Sequence, residues 1–261
     1  MDINLKGKNA LVGGSSKGIG KASAIELAAL GANVTLLARS KERLEATLQL
    51  LDTSQGQQHD YIAVDFSHQD ELEAAVAMAV AKKTFHILVN NTGGPPAGPI
   101  TQASKEGFLQ AYHNHLLCNH LLSILLIPGM KKAAYGRIVN IISTSVKAPL
   151  QGLGVSNTTR GAVASWAKTM ANELAAFGIT VNNVLPGATA TERLQEIIDN
   201  KADKTGADPA EVSAHMQSEI PMQRFGKPEE IAAAVAFLAT PAAAYITGTN
   251  ITVDGGRTPV L

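Results

Sequence analysis

The sequence predicts an α/β fold, a doubly wound parallel sheet of about seven strands with helices on both faces, and three observations carry that prediction. Short β-rich runs alternate with longer Ala- and Leu-rich stretches from end to end, the rhythm of successive βαβ units. Most of the β-rich runs are continuously apolar, as strands covered on both faces are. A glycine-rich turn joins the first strand to the first helix. The chain has 261 residues, 45% of them hydrophobic, and neither a low-complexity linker nor a repeat divides it, so residues 1–261 read as one domain.

The strands read, in order, as Asn9 to Val12, Asn33 to Ala38, Asp60 to Val64, His86 to Asn90, Arg137 to Ile142, Thr180 to Leu185 and Asn250 to Val253, each carrying Val, Ile or Leu. Helices are expected near Lys21 to Leu30, unbroken until Gly31, then near Lys41 to Leu51, Gln69 to Ala81, Lys105 to Ile127, Gly154 to Phe177 and Pro228 to Ala239. In the fourth of these, Leu116 to Ile127 is the most apolar window of the chain. Asn119, His120 and Ser123 interrupt it and Pro128 stops it, well short of the ~20 apolar residues a membrane span needs, so it reads as a buried helix. Residues 191–221 differ, being polar and Ala-rich with an Asp-Pro and no strand: a pair of surface helices, or a mobile lid over a pocket.

Composition narrows the function. With 22 basic and 22 acidic side chains the chain has no polycationic face for nucleic acid, which leaves small-molecule work. One cysteine, Cys118, makes no internal disulfide, and without a CxxC or a Cys/His cluster there is no zinc site. Met1 to Lys8 carries Asp2, Lys6 and Lys8 among isolated apolar residues, unlike a signal peptide, so a cytoplasmic protein that does not enter membranes is expected.

After the first strand comes Gly13-Gly14-Ser15-Ser16-Lys17-Gly18-Ile19-Gly20. Strand, glycine loop and helix in that order suit a phosphate. Gly14 allows the sharp turn, Gly18 lets backbone approach a pyrophosphate, Gly20 permits close helix-on-sheet packing, and the helix amides face the anion. Alone, such a loop is equally a tight βα turn. Its context includes Asn90-Asn91-Thr92-Gly93, Pro186-Gly187 with Thr191, Arg224-Phe225-Gly226-Lys227-Pro228-Glu229-Glu230 and Val253-Asp254-Gly255-Gly256.

Together, from about Leu5 to Gly256, these motifs resemble the short-chain dehydrogenase/reductase family, and within it 3-oxoacyl-ACP reductase-like members. The resemblance implies a Rossmann-type NAD(P)-binding domain that reduces a carbonyl to an alcohol, or the reverse, as a homotetramer or dimer. It assigns cofactor contacts to Gly14, Ser16, Lys17, Gly18, Ile19, Gly20, Asp65, Phe66, Asn91, Thr92, Gly93, Arg160, Pro186, Gly187, Thr189 and Thr191. At the end of the second strand, where NAD-preferring relatives place a carboxylate, stands Arg39, which with Lys17 suits a 2′-phosphate and favours NADP(H) over NAD(H). The plainer reading of both is solvated surface charge. Gly13 replaces the family's threonine, a lost hydroxyl expected to loosen the loop.

The catalytic positions depart further. Counted from Gly136, the family's serine falls on Ser143, its tyrosine on Ser156, its lysine on Arg160 and its asparagine on His115, with Asn114 one residue earlier. No tyrosine lies between Tyr135 and Tyr245, so no shift of alignment recovers the motif. A tyrosine titrates near pH 10 and is tunable, whereas an aliphatic hydroxyl is a far weaker acid, and Arg160 binds but hardly relays protons.

Three readings stand: a carbonyl reductase whose proton comes from water, Tyr112, His113 or His115; a dinucleotide-binding sensor or regulatory protein without efficient redox chemistry; or other chemistry, as in halohydrin dehalogenases. His113, His115 and His120 lack metal spacing, and His115 is the one expected near the site. The stiff run Asn90 to Pro99 leaves the fourth strand at a ligand-binding end or as a plain turn. Ala162, Val163, Ala167, Met170, Ala171 and Leu174 exceed one buried stripe, and related reductases pair the matching helices between subunits, so a homo-oligomer is expected.

Overall fold

Seven strands pair in parallel in one sheet: β1 (Asn9–Gly13), β2 (Asn33–Ala38), β3 (Asp60–Ala63), β4 (Ile87–Asn90), β5 (Gly136–Ile141), β6 (Ile179–Pro186) and β7 (Asn250–Val253). This computed structural model describes residues 1–260. The helices are α1 (Gly18–Ala29), α2 (Lys41–Leu48), α3 (Gln69–Lys82), α4 (Lys105–Tyr112), α5 (Cys118–Ala133), α6 (Gly154–Leu174), α7 (Glu192–Thr205), α8 (Pro209–Ser218) and α9 (Pro228–Ala239). The spatial order β3-β2-β1-β4-β5-β6-β7 makes the fold Rossmann-like. The chain winds outward to β3, returns to the other side of β1, and winds outward again, which opens a crevice beyond the strand ends between β1 and β4.

One face of the sheet is covered by α1, α2 and α9 around Leu27, Leu44 and Val235; the other by α3, α5 and α6 around Leu72, Leu126 and Ala167. The central strands are buried, as their apolar runs require. At the edges, where each strand has one neighbour, β3 and β7 are only partly covered, and Asp60 and Ala63 are exposed.

Asn90, Asn140, Asn183 and Asn250 stand side by side on β4 to β7 as a chain of amides, each Nδ2 donating to the next Oδ1 at 2.9, 2.9 and 2.8 Å. The Asn90 Oδ1 at its start is buried with no donor among the described residues.

Pro128 does not end the fourth expected helix, because α5 continues to Ala133. The carbonyl deprived of an amide belongs to Ile124, a residue 50% exposed on the solvent side of the helix, where the loss of the bond is tolerated. Upstream the same helix is interrupted by a π turn, His113–Leu117, between α4 and α5. Two other helices are shorter than expected: α2 stops at Leu48, and α6 at Leu174 before a 3-10 turn.

The apolar surplus expected on α6 for a subunit contact is consumed within the chain. Val163, Ala167, Met170, Ala171 and Leu174 are buried in its own core, and Ala162 is half-buried. An exposed apolar stripe runs instead along α4 and α5 at Leu109, Tyr112, Leu117 and Ile124, and the longer step of the π turn keeps Tyr112 and Leu117 on one face. Residues 191–221 form the helix pair α7 and α8, held by Leu194, Ile198, Ala202 and Val212. Among the described residues no helix is long and apolar enough to cross a membrane.

Candidate active site

Beyond β1 the chain turns through Gly14 at φ +57°, where a Cβ would lie 2.6 Å from the Asn91 amide nitrogen, so only glycine fits. Gly20 packs directly on the Gly14 carbonyl, bringing α1 onto the sheet. Asn91 donates from Nδ2 to the carbonyls of Gly13 and Gly14 at 3.2 and 3.4 Å, so its amide shapes the loop. That brace serves where the family's threonine is missing: a Cβ on Gly13 would come within 3.1 Å of the Asn91 carbonyl. Ser15, which sequence reasoning missed, is fully buried, and its Oγ accepts the Leu37 amide at 2.9 Å, tying the loop to β2.

Side chains cap α2, α4, α7 and α8 through Ser40, Ser104, Thr191 and Asp208, whereas α1, like α3 and α6, has no side-chain cap, and of these three α1 is the one that follows the glycine loop. Its leading amides are left for an anion, and Ser16, Gly18 and Ile19 are half-buried along that rim. By this measure the loop fits a dinucleotide pyrophosphate. Thr191 crosses above it, its methyl 3.3 Å from where a Cβ on Gly18 would stand, while its hydroxyl bonds to the Thr189 carbonyl at 3.2 Å. Gly187, just past Pro186, donates to the Val253 carbonyl at 3.0 Å. Arg224 clasps Glu230 at 2.6 Å, and the Gly226 carbonyl accepts the Ala190 amide at 2.8 Å, bracing the same loop.

The basic residues near the second strand are not arranged as expected. Lys17 Nζ is 2.6 Å from Glu192, and Arg43, which sequence reasoning missed because it lies inside α2, reaches the same carboxylate at 3.2 Å. Arg39 is 81% exposed and 3.9 Å from Asp65. Hydrogen bonds from the Ser67 amide and hydroxyl, then the Arg39 charge, hold the Asp65 carboxyl below the usual carboxylate range. Phe66 packs on the α3–α5 side of the core and its carbonyl accepts the Cys118 thiol. Gly93 is open on its side-chain side.

At the end of β5, Ser143 caps a 3-10 turn, Thr144–Val146, its Oγ accepting the Ser145 amide at 3.1 Å, which leaves the O–H to donate. Ser156 and Arg160 share one face of α6, a turn apart. Ser156 is half-buried and takes no part in the bonds between Asn157 and Leu150 beside it. Arg160 is 8% exposed, donates from Nη1 to the Ile141 carbonyl at 3.0 Å and approaches Gly94. Among the described residues neither it nor Arg137 has a carboxylate partner, unlike Arg39, Arg43, Arg193, Arg224 and Arg257, but Arg137 donates to the Thr240, Gly136 and Gly178 carbonyls whereas Arg160 makes one such bond. Burial pulls its pKa down to about 10, so it stays charged at neutral pH.

The π turn decides between His115 and Asn114. His115 points inward, 1% exposed, with Nδ1 2.5 Å from Thr92 Oγ1. Burial first and the Arg160 charge second push its pKa down to about 2, so the ring is neutral. Asn114 accepts from Gln110 at 3.0 Å, His113 contacts Gln69 at 3.0 Å, and His120 accepts from Trp166 at 3.3 Å, so none of the three turns to the strand ends. Tyr112 is 45% exposed on the outer stripe. Among the described residues no His, Cys, Asp and Glu side chains gather as a metal site.

Two cavities lie by the start of α6, and neither is lined by Ser143, Ser156, Arg160 or His115. One of about 350 Å³ lies between Pro95 to Pro99, Gln102 to Ser104, Gly107, Val155 and Lys204; the other, about 440 Å³, is lined by Ile100, Pro149, Leu150 and Asn157. Both are of ligand size and mostly apolar.

A family model described as Enoyl-(Acyl carrier protein) reductase matches residues 14–258. The chain is 35% identical to a 3-oxoacyl-[acyl-carrier-protein] reductase of Vibrio cholerae, over 97% of this chain and 98% of that one. It is 34% identical to an uncharacterized oxidoreductase of Thermotoga maritima, over 99% and 100%. Its fold matches L-sorbose reductase from Gluconobacter frateurii, solved with NADPH and L-sorbose, at a TM-score of 0.93 and 31% identity across 100% of both chains. An actinorhodin polyketide ketoreductase with NADPH matches at 0.90 and 30%, over 97% and 98%.

Proposed function

The chain belongs to the short-chain dehydrogenase/reductase family of oxidoreductases, and on that premise we propose that it is an NADP(H)-dependent enzyme reducing a small-molecule carbonyl, of 3-oxoacyl-like type, to an alcohol or running the reverse. It works as one domain with residues 191–221 as a substrate lid. The observation that carries the reading is Arg160, a buried guanidinium without a carboxylate, tied to β5 two residues before Ser143. A bound nicotinamide supplies or accepts the hydride. Ser143 donates to the carbonyl oxygen, Ser156 offers a second hydroxyl, and the Arg160 charge stabilises the negative charge that develops there, strongly because little water screens it.

Neither serine replaces tyrosine as an acid, and His115, held neutral by burial and by the Arg160 charge, offers no imidazolium proton at neutral pH. The oxygen therefore takes its proton from water, and turnover is lower by about 10²–10⁴-fold than a tuned acid allows. The test is NADPH consumption on 3-oxoacyl thioesters, diketones and keto sugars. Ser156→Tyr with Arg160→Lys is expected to raise turnover at least about tenfold. No turnover by either protein on any of these substrates refutes the reading. The apolar stripe Leu109, Tyr112, Leu117 and Ile124 supports a homo-oligomer, which light scattering tests.

A further inference from the structure

The first turn of α7 straps the crevice. On one side Glu192 takes Lys17 from the glycine loop and Arg43 from α2, at 2.6 and 3.2 Å. On the other, Arg193 donates from Nη2 to the Pro95 carbonyl in the loop after β4, at 2.9 Å. Between them Thr191 lies over Gly18. Cations from two separate elements thus converge on one anion, and that anion belongs to the segment that crosses the phosphate cradle. Hydrogen bonds from Lys17 and Arg43 hold the Glu192 carboxyl below the usual carboxylate range, so the latch is charged at neutral pH.

We propose that Glu192 is a displaceable place-holder: its carboxylate fills an anion site that a 2′-phosphate takes over, so that NADP(H) unlatches the strap and NAD(H) does not. This rests on the dinucleotide reading above. A nucleotide with a 2′-hydroxyl has no charge to exchange for Glu192, and Lys17 and Arg43 stay with their carboxylate. A 2′-phosphate carries more charge and three acceptor oxygens, and wins both cations. The carboxylate thus weakens NADP(H) binding and leaves NAD(H) untouched: it moderates the preference that the two cations create and couples it to release of the strap.

The test is calorimetric binding of NADPH and NADH to wild type and Glu192→Gln, with hydrogen exchange of residues 192–205 in the presence of adenosine 2′,5′-bisphosphate or 5′-AMP. Freeing the two exposed cations is expected to tighten NADPH about three- to tenfold, the scale of two surface pairs, and to leave NADH within about twofold. In wild type the bisphosphate is expected to speed exchange at the start of α7 and 5′-AMP to leave it unchanged. Glu192→Asp, which keeps the charge, stays near wild type. Unchanged or weaker NADPH binding by Glu192→Gln, or equal tightening of NADH, overturns the inference alone. If neither nucleotide binds either protein, the dinucleotide reading falls with it.

Discussion

Two kinds of cation stand at the strand ends. Lys17 and Arg43, with side chains 46% and 53% exposed, share a carboxylate; Arg160, 8% exposed, has none among the described residues. At the glycine loop, backbone amides and close packing do most of the binding, and screened surface charges adjust it. At the end of β5, a few side chains do the chemistry in a poorly hydrated place where an unpaired charge is costly to the fold and strong on a ligand for the same reason. Gly13 apart, the resemblance holds through the glycine loop, whereas at the end of β5 and on α6 it keeps Ser143 and departs at Ser156 and Arg160.

Ser143→Ala is expected to have the largest effect, lowering kcat/KM by about 10²–10³-fold through the loss of one donor to the developing charge, with an unchanged unfolding midpoint. An equal loss of stability would break the contrast by making Ser143 a structural cap first. Arg160→Met comes next: kcat/KM falls by about 10²-fold while the urea midpoint rises, because a buried charge without a carboxylate is replaced by a packed apolar chain. A destabilised variant would show that the bond to the Ile141 carbonyl outweighs desolvation.

His115 sharpens the same contrast through pH. Its folded pKa of about 2 lies far below its ordinary 6.5, so the unfolded chain binds a proton that the folded one refuses. Stability from this group is complete above about pH 6.5 and declines as pH falls toward 2, by at most ~1.4 kcal/mol per pH unit. In His115→Gln the urea midpoint is expected to vary less between pH 7 and 5, and an unaltered slope would assign the acid sensitivity to other groups. Arg39→Ala is the smallest change: exposed and loosely paired, Arg39 is expected to alter NADPH affinity by less than about threefold by calorimetry. A larger loss would make Arg39, not Lys17 with Arg43, the principal phosphate partner.

The strands and the glycine loop were legible because continuous apolar runs and Gly14, Gly18 and Gly20 answer to single local requirements. Ser143, Ser156 and Arg160 were found by counting from Gly136. Counting also pointed to His115, but the turn that points it inward was not legible, since a π turn inserts one residue among ordinary helix formers and leaves no mark in composition. Pro128 misled because its cost depends on whether the Ile124 carbonyl meets water, a tertiary fact. The tie of Glu192 to Lys17 and Arg43 joins residues far apart in sequence, and no local pattern announces it.

The amide chain from Asn90 to Asn250 gives the sheet a built-in sense of time. Slipping any of its strands by one residue would throw its asparagine to the opposite face, so the four rungs hold or release together. β7 is an edge, yet its rung joins it to β6, and its amides are expected to exchange with solvent at the pace of the interior. β3, the opposite edge, lies outside the chain of amides and is expected to exchange faster than β7. The end of the sheet tied by the amides is the one beneath Ser143 and Arg160, where a charge without a carboxylate most needs a floor that does not move.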